Sequence, residues 1–255
     1  MKVVIFAGGY GTRLAELTRE IPKPMVEIGG FPILWHIMKI YGSYGYNEFV
    51  IALGYNGKII KEYFLNYHSH RADLNIDLND GSVSVTSREN LDWKITLVDT
   101  GPNTMTGGRV KRLKSCLGST FMLTYGDGIA DIDLSKLLET HRRKGKLVTV
   151  TAVHPTSRYG KLDINDEQLV DRFVEKPEFD QDWINGGFMV VEPEFLDWID
   201  GDDSVLEREP LEKAAATGNL VAYKHSGFWH CMDTVRDRND LETLWQTRQP
   251  PWKKW

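Results

Sequence analysis

The chain has 255 residues, of which 41% are hydrophobic and 26% are charged, and its formal net charge is −5 at pH 7. This length is compatible with one α/β domain, and the composition indicates a globular protein with a buried core and excludes a disordered or collagen-like chain. The acidic balance does not draw the whole molecule to nucleic acid or to anionic lipid, so any phosphate site has to be local. We therefore expect no nucleic-acid partner and no membrane partner.

The termini and the cysteines bear on where the protein works. The apolar run at the N-terminus is too short for a signal peptide, and no stretch of about 18 apolar residues could cross a membrane. A cytoplasmic location is the default expectation. Cys116 and Cys231 cannot form a disulfide framework, and no CxxC or HExxH spacing offers a zinc site, so we predict free thiols.

Apolar runs rich in β-branched residues alternate with stretches of helical periodicity in the first part of the chain. The predicted elements are, in chain order, strand 3–7, helix 33–44, strand 49–53, helix 58–67, helix 107–117, strand 121–125, helix 134–144 and strand 147–153. This alternation indicates βαβ units and a mostly parallel central sheet. Residues 74–98 alternate polar and apolar residues around Asn79-Asp80-Gly81-Ser82, which predicts an inserted β-hairpin flap at about residues 71–98.

The second part of the chain is less regular. The predicted elements are short strands at 161–164, 169–173 and 187–191 and helices near 207–216 and 234–245. No linker or repeat is found, so residues 1–255 are expected to form one domain, with C-terminal helices and a tail over about residues 204–255. Residues 250–255 are rich in proline and tryptophan, and we expect them either to dock on a neighbour or to be loose.

The strongest local signal is Ala7-Gly8-Gly9-Tyr10-Gly11-Thr12-Arg13, directly after a predicted buried strand. The glycines let the backbone approach a ligand closely, and their N–H groups can hold phosphate oxygens. Arg13 adds a charge that can bind phosphate with two hydrogen bonds. The loop is not a dinucleotide-binding GxGxxG, because Leu14 stands where the third glycine belongs, and the P-loop motif GxxxxGK[ST] does not occur. A simple glycine-rich turn is the alternative.

Lysine and aspartate side chains next to predicted turns suit phosphate or metal chemistry. Lys23 lies between Pro22 and Pro24, which stiffen the backbone around its ammonium group, although a solvated lysine is the alternative. Asp127 follows a predicted parallel strand, where the carboxyl end opens into a ligand crevice, and a carboxylate there suits Mg²⁺. An ordinary turn aspartate between two glycines is the alternative. Asp233 could supply a second carboxylate, but the sequence alone favours an N-cap of the last helix.

Other patterns are weaker. Glu175-Lys176-Pro177 and Asn185-Gly186-Gly187 could bind a sugar phosphate and its hydroxyls, and each could also be an ordinary turn. Asp131-Ile132-Asp133 imitates the DxD motif of glycosyltransferases. It falls at a predicted helix start, so we interpret it as a helix cap.

Together, these segments resemble the sugar-phosphate nucleotidyltransferase family. The matching segments are AGGYGTR at 7–13, PKPM at 22–25, YGDG at 125–128, EKP at 175–177 and NGG at 185–187. Their order and spacing make the resemblance specific, and segments at 33–41, 97–112, 227–237 and 250–255 extend it over essentially the whole chain. The resemblance implies a Rossmann-like nucleotidyltransferase fold, CTP and α-D-glucose 1-phosphate as substrates, CDP-glucose and pyrophosphate as products, and Mg²⁺ as cofactor. It also implies a homo-oligomer, since the family includes hexamers.

The resemblance also implies a role for individual residues. The nucleotide-binding residues would be Phe6, Ala7, Gly8, Gly9, Tyr10, Gly11, Thr12, Arg13, Lys23, Thr104, Arg109 and Gly126. Arg13 and Lys23 would be catalytic, and Asp127 and Asp233 would bind the metal. The residues at the sugar phosphate would be Glu175, Lys176, Asn185 and Gly187. The chain departs from its relatives at Thr104, where serine is common, and at Ile21, where relatives can carry a second lysine.

Other functions stay open on the sequence. A thymidylyl- or uridylyltransferase would differ only in a few hydrogen bonds to the base. A glycosyltransferase would use a nucleotide sugar as donor and would need its DxD motif elsewhere. A regulatory module could bind nucleotide sugars without turnover, although the joint presence of Arg13, Lys23, Asp127 and Asp233 argues against it.

Overall fold

The computed structural model describes residues 1–87, 91–155, 161–175 and 182–255. The strands are β1 (Lys2–Ala7), β2 (Glu27–Ile28), β3 (Phe31–Pro32), β4 (Glu48–Leu53), β5 (Ala72–Ile76), β6 (Val83–Ser87), β7 (Lys94–Asp99), β8 (Phe121–Tyr125), β9 (Gly128–Ala130), β10 (Val148–Val153), β11 (Lys161–Ile164), β12 (Val170–Val174), β13 (Ile184–Val191), β14 (Leu220–Lys224) and β15 (Trp229–Cys231). The α-helices are α1 (Ala15–Thr18), α2 (Ile33–Gly42), α3 (Gly57–Leu65), α4 (Tyr67–Arg71), α5 (Thr106–Arg112), α6 (Leu134–Lys144), α7 (Glu209–Ala216) and α8 (Val235–Gln246). Short 3₁₀ helices lie at Thr12–Leu14, Lys23–Met25, Lys114–Cys116 and Pro193–Trp198.

Seven strands form a central sheet in the order β14-β10-β13-β8-β1-β4-β7. β1 pairs in parallel with β4 and β8, β7 pairs in parallel with β4, and β14 pairs in parallel with β10. β13 runs antiparallel to its neighbours β8 and β10. The Rossmann-like, mostly parallel sheet that the sequence predicts is therefore confirmed.

Apolar side chains pack on both faces of this sheet, because successive residues of a strand point to opposite sides. In β1, Val3 and Ile5 belong to one core cluster, whereas Val4 and Phe6 belong to another. Helices α2, α6 and α8 contribute to the first cluster, and α5 and α7 contribute to the second. Full burial of one such side chain stabilises the fold by about 1.5–3 kcal/mol. This two-sided burial explains why β1 is a continuous apolar run.

Side-chain caps fix the starts of the two longest helices in the described part of the chain. Asp133 accepts a hydrogen bond from the backbone N–H of Lys136 at the start of α6, which confirms the cap interpretation of the DxD-like segment. At the start of α8, Thr234 and Asp237 form a reciprocal capping box. The prediction that Asp233 caps this helix is therefore wrong: the Thr234 hydroxyl takes that role, and the Asp233 carboxylate is left for other contacts.

The inserted hairpin is shorter than predicted. β5 and β6 pair antiparallel from Ala72↔Ser87 to Ile76↔Val83. β7, which the prediction placed inside the hairpin, instead forms an edge of the central sheet. Ile95 and Leu97 of β7 pack against the first core cluster. Polar–apolar alternation is the same for a hairpin strand and for a half-buried edge strand, so the sequence pattern could not separate the two.

The C-terminal tail packs on its own chain. Trp252 is fully buried in the first core cluster, and the ring of Trp255 lies 5.8 Å from the ring of Trp35. The expectation that the tail is loose is therefore wrong, and its docking on a neighbouring chain stays a prediction. Within the described ranges, none of the helices combines the length and apolarity that a membrane span requires.

Candidate active site

A cavity of about 380 Å³ opens at the edge of the central sheet where the parallel strands β1 and β8 end. The described residues that were predicted to bind nucleotide or metal all line it, and they are Phe6, Ala7, Gly8, Gly9, Tyr10, Gly11, Thr12, Lys23, Thr104, Arg109, Gly126, Asp127 and Asp233. The side chain of Arg13 lies outside the described part of the structure. The fold thus gathers distant sequence motifs in one cleft, and the roles of these residues stay predictions.

Lys23, Asp127 and Asp233 form the charged centre of the cleft. The Lys23 Nζ atom lies 2.6 Å from Asp127 Oδ2 and 2.7 Å from Asp233 Oδ1. Lys23 is carried by the short helix Lys23–Met25, Asp127 follows β8, and Asp233 lies between β15 and α8. One ammonium group therefore bridges two carboxylates that are more than 100 residues apart in the sequence.

Burial and charge act in opposite directions on Lys23. Burial lowers the pKa of its ammonium group, but the attraction of Asp127 and the hydrogen bonds to Asp127 and Asp233 outweigh burial and raise the pKa above its usual value. The lysine is therefore cationic at neutral pH, and its positive charge offsets the repulsion between the two neighbouring carboxylates.

The same carboxylates could hold a divalent metal ion. In the described part of the chain, one ligand atom each from Asp127, Cys231 and Asp233 lies within 4.8 Å of the other two. Burial, followed by the nearby Asp127 charge, raises the pKa of the Cys231 thiol, which keeps it protonated. The ionised donors are then carboxylate oxygens, which suit a hard ion such as Mg²⁺. The position of Lys23 between the two carboxylates shows that this pair accepts a cation.

Arg109 ties the glycine loop to the ends of neighbouring strands. Its guanidinium group donates to the carbonyl oxygens of Gly8 (3.0 Å), Leu53 (3.0 Å) and Gly101 (2.7 Å) and to the hydroxyl of Thr100 (2.7 Å). Burial lowers the pKa of Arg109. The residue was predicted to contact nucleotide; it does line the cleft, but its described hydrogen bonds hold protein backbone and a hydroxyl.

Glycines at two strand ends are required by packing. A Cβ atom on Gly8 would lie 2.4 Å from Arg109 Cζ, and a Cβ atom on Gly126 would lie 2.4 Å from the Phe6 carbonyl oxygen. Neither position can carry a side chain without movement of its neighbours. These glycines therefore have a structural role in addition to any role in phosphate binding.

A hydrogen-bonded group on one wall was not predicted. Tyr125 and Thr106 line the cleft, and both hydroxyls donate to the carboxylate of Glu207, the Thr106 bond being 2.7 Å long. Burial, followed by the charge of Glu207, raises the pKa of Tyr125, so its hydroxyl stays protonated. Glu207 precedes α7 and carries no local motif, so only the fold brings it here.

Of the predicted sugar-phosphate residues, the three that the structure describes, Glu175, Asn185 and Gly187, are not among those that line the cleft. Asn185 and Gly187 are in β13, whose pairing with β8 brings them beside Tyr125, and Asn185 Oδ1 accepts a hydrogen bond of 3.0 Å from the Gly187 N–H. Gly187 has a φ of 86°, and a Cβ atom there would lie 2.6 Å from Tyr125 Cδ2. Glu175 is exposed and follows β12, and Lys176 lies outside the described residues.

The fold and the cleft define an α/β protein in which a glycine-rich loop and a carboxylate pair meet at the carboxyl ends of parallel strands, an arrangement typical of nucleotide-binding enzymes. The chain belongs to the Nucleotidyl transferase family, whose sequence profile matches residues 2–230. Members of this family generally use a divalent metal ion.

Sequence relatives match over the full length. The chain is 49% identical over 257 aligned positions to the glucose-1-phosphate cytidylyltransferase of Salmonella typhimurium, with 100% of both chains covered. It is 44% identical, with the same coverage, to the probable glucose-1-phosphate cytidylyltransferase of Bacillus subtilis.

Solved structures share the fold. The crystal structure of HddC from Yersinia pseudotuberculosis superposes with a TM-score of 0.71 at 24% identity, covering 96% of this chain and 99% of that one. UDP-glucose pyrophosphorylase complexed with UDP-glucose gives a TM-score of 0.69 at 16% identity, with coverages of 97% and 98%.

Proposed function

We propose that this protein transfers CMP from CTP to α-D-glucose 1-phosphate, which yields CDP-glucose and pyrophosphate. The observation that carries the proposal is the meeting of the glycine loop, Lys23 and the carboxylates of Asp127 and Asp233 in one cleft. The choice of CTP and glucose 1-phosphate is supported by full-length relatives at 49% and 44% identity that bear this activity in their names.

The chemistry needs no general base from the protein. The second pKa of a phosphate monoester is near 6, so glucose 1-phosphate is mostly dianionic at neutral pH. One of its phosphate oxygens attacks the α-phosphorus of CTP in line, a new P–O bond forms, and the bond from the α-phosphorus to pyrophosphate breaks. The protein has to position two anions and spread the charge that develops between them.

The cleft residues suit this task. The N–H groups of the loop at residues 8–11 would bind phosphate oxygens of CTP, and the Lys23 ammonium would neutralise charge between the sugar phosphate and the α-phosphate. Arg13 is proposed to act on the outer phosphates. A Mg²⁺ ion held by Asp127 and Asp233 would supply further charge neutralisation. Asn185 and Gly187 beside Tyr125, together with Glu175 and Lys176, are proposed to meet the sugar phosphate.

Isotope transfer tests the proposed bond changes. When glucose 1-phosphate carries ¹⁸O in its phosphate group, mass spectrometry should find the label in CDP-glucose and none in pyrophosphate. Label in pyrophosphate would mean that another bond breaks. A glycosyltransferase would release no pyrophosphate at all.

Replacement of Lys23 by alanine should lower kcat roughly 10²-fold, the scale of single charge-stabilising groups, whereas Lys61→Ala on the exposed side of α3 should leave kcat unchanged.

We further propose a homo-oligomer in which a second copy of the chain covers the β5–β6 hairpin. Leu74 pairs with Val85 and Ile76 pairs with Val83, so the four side chains share one face, and each is 43–58% exposed. Contiguous exposed apolar surface is typical of an interface. Light scattering should show an oligomer for the wild type and a smaller species for Leu74→Ser/Val85→Ser. A monomeric wild type would contradict the proposed oligomer.

A single domain over residues 1–255 and a cytoplasmic location stay predictions.

A further inference from the structure

The contact between Lys23 and the carboxylate pair has a consequence for metal binding. The side chains of Lys23, Asp127 and Asp233 are 13%, 26% and 18% exposed, so water screens their charges only in part. Lys23 Nζ is within 2.7 Å of one oxygen from each carboxylate. The ammonium group therefore lies between one oxygen of each of the two carboxylates that would hold a divalent ion.

An ammonium group and a divalent ion cannot share this position, because Mg²⁺ binds carboxylate oxygens at about 2.0–2.1 Å and like charges repel at such distances. We propose that Lys23 occupies the metal position in the nucleotide-free protein and has to leave it before the ion binds. The proposal rests on the proposed metal role of Asp127 and Asp233.

The nucleotide provides the new partner that Lys23 needs. An ammonium group pushed into the cleft without a counter-charge would be a partly buried, unpaired charge, which is strongly unfavourable. The phosphates of CTP on the glycine loop would offer such a counter-charge. The backbone around Lys23 is held by Pro22 and Pro24 and by a hydrogen bond from the Val26 N–H to the Lys23 carbonyl, so the change is confined to the side chain. Metal and nucleotide therefore bind cooperatively, and the metal arrives with the triphosphate.

Binding of Mn²⁺ without nucleotide tests this inference. Free Mn²⁺ is followed by electron paramagnetic resonance in titrations of wild type, Lys23→Met and Lys61→Met, the last removing one exposed positive charge from α3. Lys23→Met should bind Mn²⁺ roughly tenfold more tightly than wild type or more, which corresponds to about 1.4 kcal/mol. Lys61→Met should match wild type, and Asp127→Asn in the Lys23→Met background should abolish the gain.

Equal or weaker Mn²⁺ binding by Lys23→Met would overturn the proposal. If Lys23→Met is unstable because its carboxylates repel each other, the melting temperature is measured with and without Mn²⁺. Mn²⁺ should then raise the melting temperature of Lys23→Met by more than that of wild type. An equal rise in both proteins overturns the proposal. Neither measurement includes nucleotide or sugar, so failure here is distinguishable from failure of the proposed transferase activity.

Discussion

Replacement of Gly8 by alanine should destabilise the folded protein, because the new methyl group meets a guanidinium group that cannot move away. The Cβ atom would lie 2.4 Å from Arg109 Cζ and Nη1. Arg109 is 5% exposed and bound to the carbonyls of Gly8, Leu53 and Gly101. Loss of one or two hydrogen bonds from a charged group, at about 1.5–3 kcal/mol each, predicts a destabilisation of about 2–5 kcal/mol.

Gly9 supplies the matched control, since a Cβ atom there meets nothing within 4 Å. Gly9→Ala should change the free energy of unfolding by no more than about 0.5 kcal/mol. Urea unfolding of both variants without ligand makes the comparison. The cost of Gly8→Ala should also fall sharply in an Arg109→Ala background, because the clash is then absent. If Gly8→Ala and Gly9→Ala are equally stable, the hydrogen bonds between Arg109 and the glycine loop are not what holds the loop in place.

Further expectations concern the metal, the pH dependence and a helix cap. Asp127→Asn should sharply raise the Mg²⁺ concentration needed for half-maximal activity, and an unchanged Mg²⁺ titration would show that Asp127 does not hold the metal ion. Burial lowers the pKa of His36 to about 4, below its unfolded value of about 6.5, so its stabilising contribution is complete above pH 6.5 and is lost as the pH falls towards 4. The free energy of unfolding, measured with urea at both pH values, should fall by about 2 kcal/mol between pH 8 and pH 5. His36→Gln should remove this loss, whereas His68→Gln on the surface should not. Thr234→Val should cost about 1 kcal/mol and lower the melting temperature, and an unchanged melting temperature would show that the capping box is not needed.

Elements with a strong local signal were predicted well. β1 and β8 are buried on both faces and appear as continuous apolar runs, and α6 has its predicted bounds because Asp133 caps it and Gly145 ends it in the left-handed conformation. The sequence pattern does not predict β14, whose short apolar run at 220–223 ends at Lys224, because periodicity alone cannot distinguish such a short run from part of a helix. The partner of β7 was assigned wrongly because alternation shows which face is buried and not which strand lies alongside.

The candidate site likewise contains residues with a local sequence signal and residues without one. The glycine loop and Asp127 could be predicted because each directly follows a strand whose end lies at the ligand-binding edge of the sheet. The bridge from Lys23 to Asp233 joins residues 210 positions apart, and Tyr125 and Glu207 are 82 positions apart, so local patterns carry no signal for either contact. Asp233 resembled a helix cap until the structure placed that role on Thr234.

Pyrophosphate release by the purified protein with Mg²⁺ and glucose 1-phosphate, measured in parallel with CTP, UTP, dTTP, ATP and GTP, tests the proposed function most directly. We expect release with CTP alone. Release with a different nucleotide would contradict the assignment of the base, and no release with any of them would contradict the proposed transfer to glucose 1-phosphate.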